Sequence, residues 1–76
     1  MTYKDPSKKT IQWPDHLRSK QLLPFVLAQL EGTEFVSDKF IDRRRMARVA
    51  RAVAGRGYDF VFDHRSADVT AMWFWR

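Results

Sequence analysis

The sequence predicts an α+β fold, three helices packed with a C-terminal β-hairpin, and three observations carry that prediction. Residues 58–63 alternate strictly, Tyr58, Phe60 and Phe62 against Asp59, Val61 and Asp63, which is the period of a half-buried strand. Residues 69–75 repeat the alternation, and the five residues between, 64–68, make a hairpin loop of ordinary length. Upstream, two sets of apolar residues recur at helical spacing: Leu17, Leu22, Leu23, Val26, Leu27 and Leu30, then Met46, Val49, Ala50, Val53 and Ala54.

Taken in order, residues 1–9 are polar and aperiodic, with Pro6 and three lysines, and are expected to form a flexible basic arm. A single domain follows over residues 10–76. Ile11 and Trp13 lie in a segment, 10–13, that is either a short strand or a stretch laid over the core. Pro14 and Asp15 open the first helix, with Asp15 as N-cap, and Gly32 follows its expected end near Glu31. Pro24 removes one ladder bond from that helix, so either the helix kinks there or it starts there, with Pro24 in its first turn. Residues 33–36 have strand composition, and Ser37 is placed to cap a short helical turn through Ile41. One straight helix over 38–54 would leave Phe40 and Ile41 facing away from the apolar side. A break at Asp42, with Asp42 capping a new helix, is expected to return both to the core. That last helix ends at Gly55, with Gly57 just beyond it.

Seventy-six residues are one domain near the lower limit for unaided folding, and the three Trp, six Phe and two Tyr compensate by burying large areas each. The chain has no cysteine, hence no disulfide and no thiolate metal site, a composition suited to the cytoplasm. No signal-like segment and no apolar run long enough to span a bilayer occurs, so no membrane association is expected.

The net charge is +5 and is unevenly placed. Between Arg43 and Arg56 there are six arginines and no acid, whereas from Tyr58 to Arg76 three aspartates face two arginines. On the last helix Arg44, Arg48 and Arg51 stand four and three residues apart and share a face. Arg45 flanks that face and Arg43 sits at the helix start, while Ala47 and Ala52 are too small to obstruct close approach. Guanidinium groups match phosphates and the guanine edge, each of which accepts two parallel hydrogen bonds. With no acid available for i,i+4 pairing, the row carries mutual repulsion, which argues for a polyanionic partner over a merely solvated face.

The order helix, short strand, short helix, turn, arginine-bearing helix, strand, loop, strand over residues 15–75 resembles the winged helix-turn-helix family of DNA-binding domains. Residues 43–57 leading into Tyr58-Asp59-Phe60-Val61-Phe62 are similar to a recognition helix that runs through a glycine turn into the wing. The resemblance implies that Arg44, Arg45, Arg48 and Arg51 face the major groove. It also implies that His64 and Arg65 lie at the wing tip, near the minor groove or the backbone.

Duplex DNA is therefore the favoured partner, for a transcriptional regulator or a DNA-architecture factor. A second reading is a protein-interaction module of the kind small phage or plasmid proteins provide, docking on a host protein or on a second copy. Trp73, Phe74 and Trp75 would then supply the interface, although adjacent strand residues point to opposite faces. RNA or ribosome binding shares the charge argument. Enzymatic chemistry is not expected: His16 and His64 lie on different elements, and no nucleophile elbow or phosphate-binding glycine loop occurs. Asp63, His64 and Asp68 lack a further convergent ligand, so no metal, cofactor or small-molecule substrate is expected either.

Overall fold

The computed structural model describes residues 9–30 and 32–76. In chain order the elements are β1 (Lys9–Gln12), α1 (Ser19–Leu27), β2 (Thr33–Ser37), α2 (Asp42–Ala54), β3 (Asp59–His64) and β4 (Thr70–Trp75). The class α+β holds, but the expected three helices with a C-terminal hairpin do not. Two helices pack on a four-stranded mixed sheet of order β1-β2-β4-β3. The arrangement is thus not the winged-helix-like one expected. The 69–75 strand pairs with β2 as well as with β3, so it is a central strand of the sheet. β1 runs parallel to β2, and β4 runs antiparallel to both β2 and β3. Each helix is consequently a crossover connection between parallel strands, β1-α1-β2 and β2-α2-β3.

The register decides what faces the helices. Ile11 pairs with Phe35, Phe35 with Met72, Met72 with Phe62, and Phe74 with Phe60, so these residues share one side of the sheet. Against that side pack Leu22, Val26 and Leu30 from the first crossover and Met46, Val49, Ala50 and Val53 from α2. Phe35 is the aromatic hub, with ring centroids 6.5 Å from Trp13, 6.5 Å from Phe25 and 6.3 Å from Phe74, all edge-on. On the opposite side the register gathers Glu34 and Val36 of β2, Asp59, Val61 and Asp63 of β3, and Ala71, Trp73 and Trp75 of β4. Among the described residues the helices lie on one side of the sheet, and the acidic strand residues Glu34, Asp59 and Asp63 lie on the other.

Several local expectations need correction. α1 begins at Ser19, not at Asp15, and the segment before it makes a turn in which the Leu17 N–H donates to the Pro14 carbonyl at 3.1 Å. Gln21 Oε1 accepts the Arg18 N–H at 2.9 Å, half of a capping box. Pro24 lies inside α1, five residues after its start, so it does not open the helix. The apolar stripe tolerates it because Leu22 and Val26 anchor the helix on both sides of it. The short third helix is a turn. The Asp42 N–H donates to Lys39 O and the Arg43 N–H to Phe40 O, both at 3.1 Å, and the regular helix starts at Asp42 itself.

Phe40 and Ile41 do not return to the core. They are 64% and 77% exposed, the most open large apolar residues described. Ile41 already has helical torsions (φ −61°, ψ −26°), so the turn continues the phase of α2 and carries both residues to its outer side. The regular helix does start at Asp42, but Asp42 neither breaks the phase nor caps the helix: Ile41 holds the cap position with helical torsions, and the Asp42 carboxylate accepts from Ser37. Of the arm expected over residues 1–9, Lys9 is the first residue of β1 and the rest lies outside the described residues, as does Glu31.

Candidate nucleic-acid interface

α2 has one buried edge and one open edge. Met46, Val49, Ala50 and Val53 fill the first, and Arg44, Arg45, Arg48 and Arg51 occupy the second and are exposed. At ~1.5 Å per residue the row from Arg44 to Arg51 is about 10 Å long. None of the four arginines has an ion-pair partner among the described residues. Two of the described acids near the head of the helix are engaged elsewhere. Asp42 is buried and accepts the Ser37 hydroxyl at 2.7 Å, and Asp15 pairs with Lys39. The row is thus a concentrated positive surface on a rigid element, with half-buried Ala47 and Ala52 at its margins.

The N-terminal end of α2 is held by a compact polar knot. The Ser37 hydroxyl accepts the Lys39 N–H at 3.0 Å while it donates to Asp42 Oδ2. Burial raises the Asp42 pKa above its ordinary value, aided by the neighbouring Asp15 carboxyl and opposed by the Ser37 hydrogen bond. Asp15 moves the other way: the hydrogen bond from Lys39 holds its pKa below the usual value, and Arg45 adds to the effect. Arg45, like Arg44, Arg48 and Arg51, is exposed.

The other three basic residues expected at the interface are placed differently. Arg43 is half-buried: its Nε donates to Thr70 Oγ1 at 2.7 Å and its Nη2 to the Ser66 carbonyl at 2.7 Å. The same guanidinium lies 4.9 Å over the Phe40 ring, so Arg43 ties the start of α2 to the β3–β4 loop. His64 ends β3, with Nδ1 3.3 Å from Thr70 Oγ1. Arg65 leaves the loop toward the acidic side of the sheet, pairing with Asp63 at 3.0 Å and with Glu34. Asp63 first, and then Glu34, raise its pKa further. The seven residues do not form one surface: four line α2, two belong to the loop junction, and Arg65 lies across the sheet.

Trp73 and Phe74 are buried and Trp75 is half-buried, on alternating sides of the central strand β4. Reasoning from sequence missed Phe40 and Ile41, which stand at the head of the arginine row. Their helical phase, away from the apolar side, was the signal that placed them there.

Among the described residues no helix is long and apolar enough to cross a membrane. No protein-family model matches the chain, and no match was found among curated proteins or among solved structures.

Proposed function

We propose that this chain binds nucleic acid, duplex DNA in the first place, through the outer face of α2. The observation that carries the reading is the row Arg44, Arg45, Arg48 and Arg51, exposed on one rigid helix and without an acidic partner among the described residues. Four guanidinium groups over two to three turns repel one another by a few tenths of a kcal/mol per pair. A phosphate backbone turns that repulsion into attraction and releases counterions. An α-helix fits the ~12 Å width of the DNA major groove, and arginine offers the fork that guanine O6 and N7 accept. α2 covers one layer of the sandwich with its arginine edge outward, so approach along the helix is open. A DNA regulator or an architectural factor is the role such a surface suits.

The test is a gel-shift titration of the chain against duplex DNA, single-stranded DNA and structured RNA, each at two salt concentrations. Duplex should bind most tightly and lose affinity steeply with salt. Absence of duplex binding in dilute buffer, together with recovery of one stoichiometric protein partner after nuclease treatment, would replace the reading with a protein-docking one.

A further inference from the structure

Phe40 and Ile41 are exposed at the head of the arginine row, and they are well fixed there. The Asp42 and Arg43 N–H groups close the turn onto Lys39 O and Phe40 O. Ser37 Oγ braces it from below through Lys39 N and Asp42 Oδ2, and the Arg43 guanidinium covers one face of the Phe40 ring. The other face of that ring, and most of Ile41, meet solvent. The backbone continues the helical phase, so the outer stripe of α2 reads Ile41, Arg44, Arg48, Arg51 at spacings of three, four and three, with Arg45 beside it. An apolar tip and a cationic row form a single line.

We propose that this tip is a wedge: Phe40 and Ile41 insert against a base step of the duplex whose phosphates the α2 arginines hold, and unstack it. The inference rests on the polyanion reading of α2 and adds to it a contact with the bases. Apolar side chains beside arginines are what a protein needs to separate stacked bases while neutralising the phosphates on either side. A base can cover the open face of Phe40 as Arg43 covers the other, and Ile41 fills the space beside it.

Other occupants fit less well. An interfacial helix embeds in a bilayer by a continuous apolar face, but the apolar face of α2 is taken up by the core, and its outer side carries four arginines. A second copy of the chain would bring like-charged rows together. Two exposed side chains also fall far short of the roughly 800 Å² per partner that a stable protein interface needs.

The experiment uses the full chain, a relaxed plasmid closed by topoisomerase in its presence, and a short duplex for affinity. A wedge unwinds the step it enters, so the wild-type chain should change the linking number of the closed plasmid. Ile41→Ala should abolish that change and weaken duplex binding by roughly fivefold or more, the scale of removing three aliphatic carbons from a buried apolar contact. The dependence of binding on salt should stay that of the wild type, because no cation is removed. Phe40→Ala should act in the same direction. Ile41→Ala is the cleaner variant, since Phe40 also lies under Arg43. Steep salt-dependent binding with no unwinding, and Ile41→Ala as tight as wild type, would overturn the wedge and leave the arginine row standing. No duplex binding at all would overturn both. Tight binding to phosphatidylserine vesicles that Ile41→Ala abolishes, with duplex binding unchanged, would overturn the wedge in favour of a membrane.

Discussion

Replacing Arg43 by alanine should lower stability substantially, in contrast to its neighbours on the same helix. Its Nε bond at 2.7 Å goes to the hydroxyl of Thr70, a residue with no exposed surface. A hydrogen bond with a charged donor in such a setting contributes about 1.5–3 kcal/mol. Thr70 would keep only the longer, 3.3 Å approach of His64. The bond to the exposed Ser66 carbonyl adds little, since water replaces the donor, and the cation–π contact over Phe40 adds about 0.5–1 kcal/mol. The sum, about 2–4 kcal/mol, corresponds in a chain of 76 residues to a Tm lower by roughly 8–30 °C. Arg48→Ala, on the open edge, should stay within ~0.5 kcal/mol of wild type. Thermal unfolding followed by far-UV circular dichroism separates the two. Arg43→Lys should not rescue, because lysine has a methylene where Nε meets Thr70 and carries its donors one atom further out. An Arg43→Ala variant that melts within a few degrees of wild type would refute the assignment of Arg43 to the architecture.

Two further outcomes follow from the same structure. Burial raises the Asp42 pKa above its ordinary value, so the folded chain holds that proton more tightly than the unfolded chain does. The stability it contributes is present below the unfolded value and is lost as pH rises through the raised folded one. Asp42→Asn, which keeps an acceptor for Ser37, should therefore gain in Tm relative to wild type as pH rises through that window; a relative gain on acidification would contradict it. Pro24 interrupts the α1 ladder at an exposed position, and Pro24→Ala restores the missing donor. The variant should be stabilised by about 1–3 kcal/mol in urea unfolding, and a lower midpoint would show that Pro24 fits its site better than the ladder argument allows.

The local elements were legible because hydrophobic periodicity is a local signal. The alternation of Tyr58 through Asp63 and the i, i+3, i+4 spacing from Met46 to Val53 gave β3 and α2 to within a residue or so. The five-residue loop between the last two strands was also correct in length, shifted by one. What was not legible is the pairing. Nothing in residues 33–36 says that Phe35 faces Met72, or that Ile11 lies beside Phe35 in a parallel ladder. Those contacts span some 24 to 37 positions and depend on how the helices cross over. A central β4 and a hairpin arm have the same composition, and the hairpin is the more local choice. Phe40 and Ile41 were misplaced for a related reason: large apolar residues were assumed to seek the core, although their helical phase put them among the arginines. Arg43 and Arg65 could not be separated from Arg48 by sequence, because only the fold sets Thr70, Ser66, Glu34 and Asp63 beside them.

In the proposed function Arg44, Arg45, Arg48 and Arg51 act as a phosphate-binding row. Its most direct measurement is the slope of log affinity for a short duplex against log salt concentration. Each phosphate neutralised contributes about −0.9, so four contacts give a slope near −3.6 and a loss of roughly 150-fold between 50 and 200 mM salt. Arg48→Ala and Arg51→Ala should each reduce the steepness by about one unit while Tm stays unchanged. A slope near zero, or one that neither substitution alters, would show that these arginines do not hold phosphates.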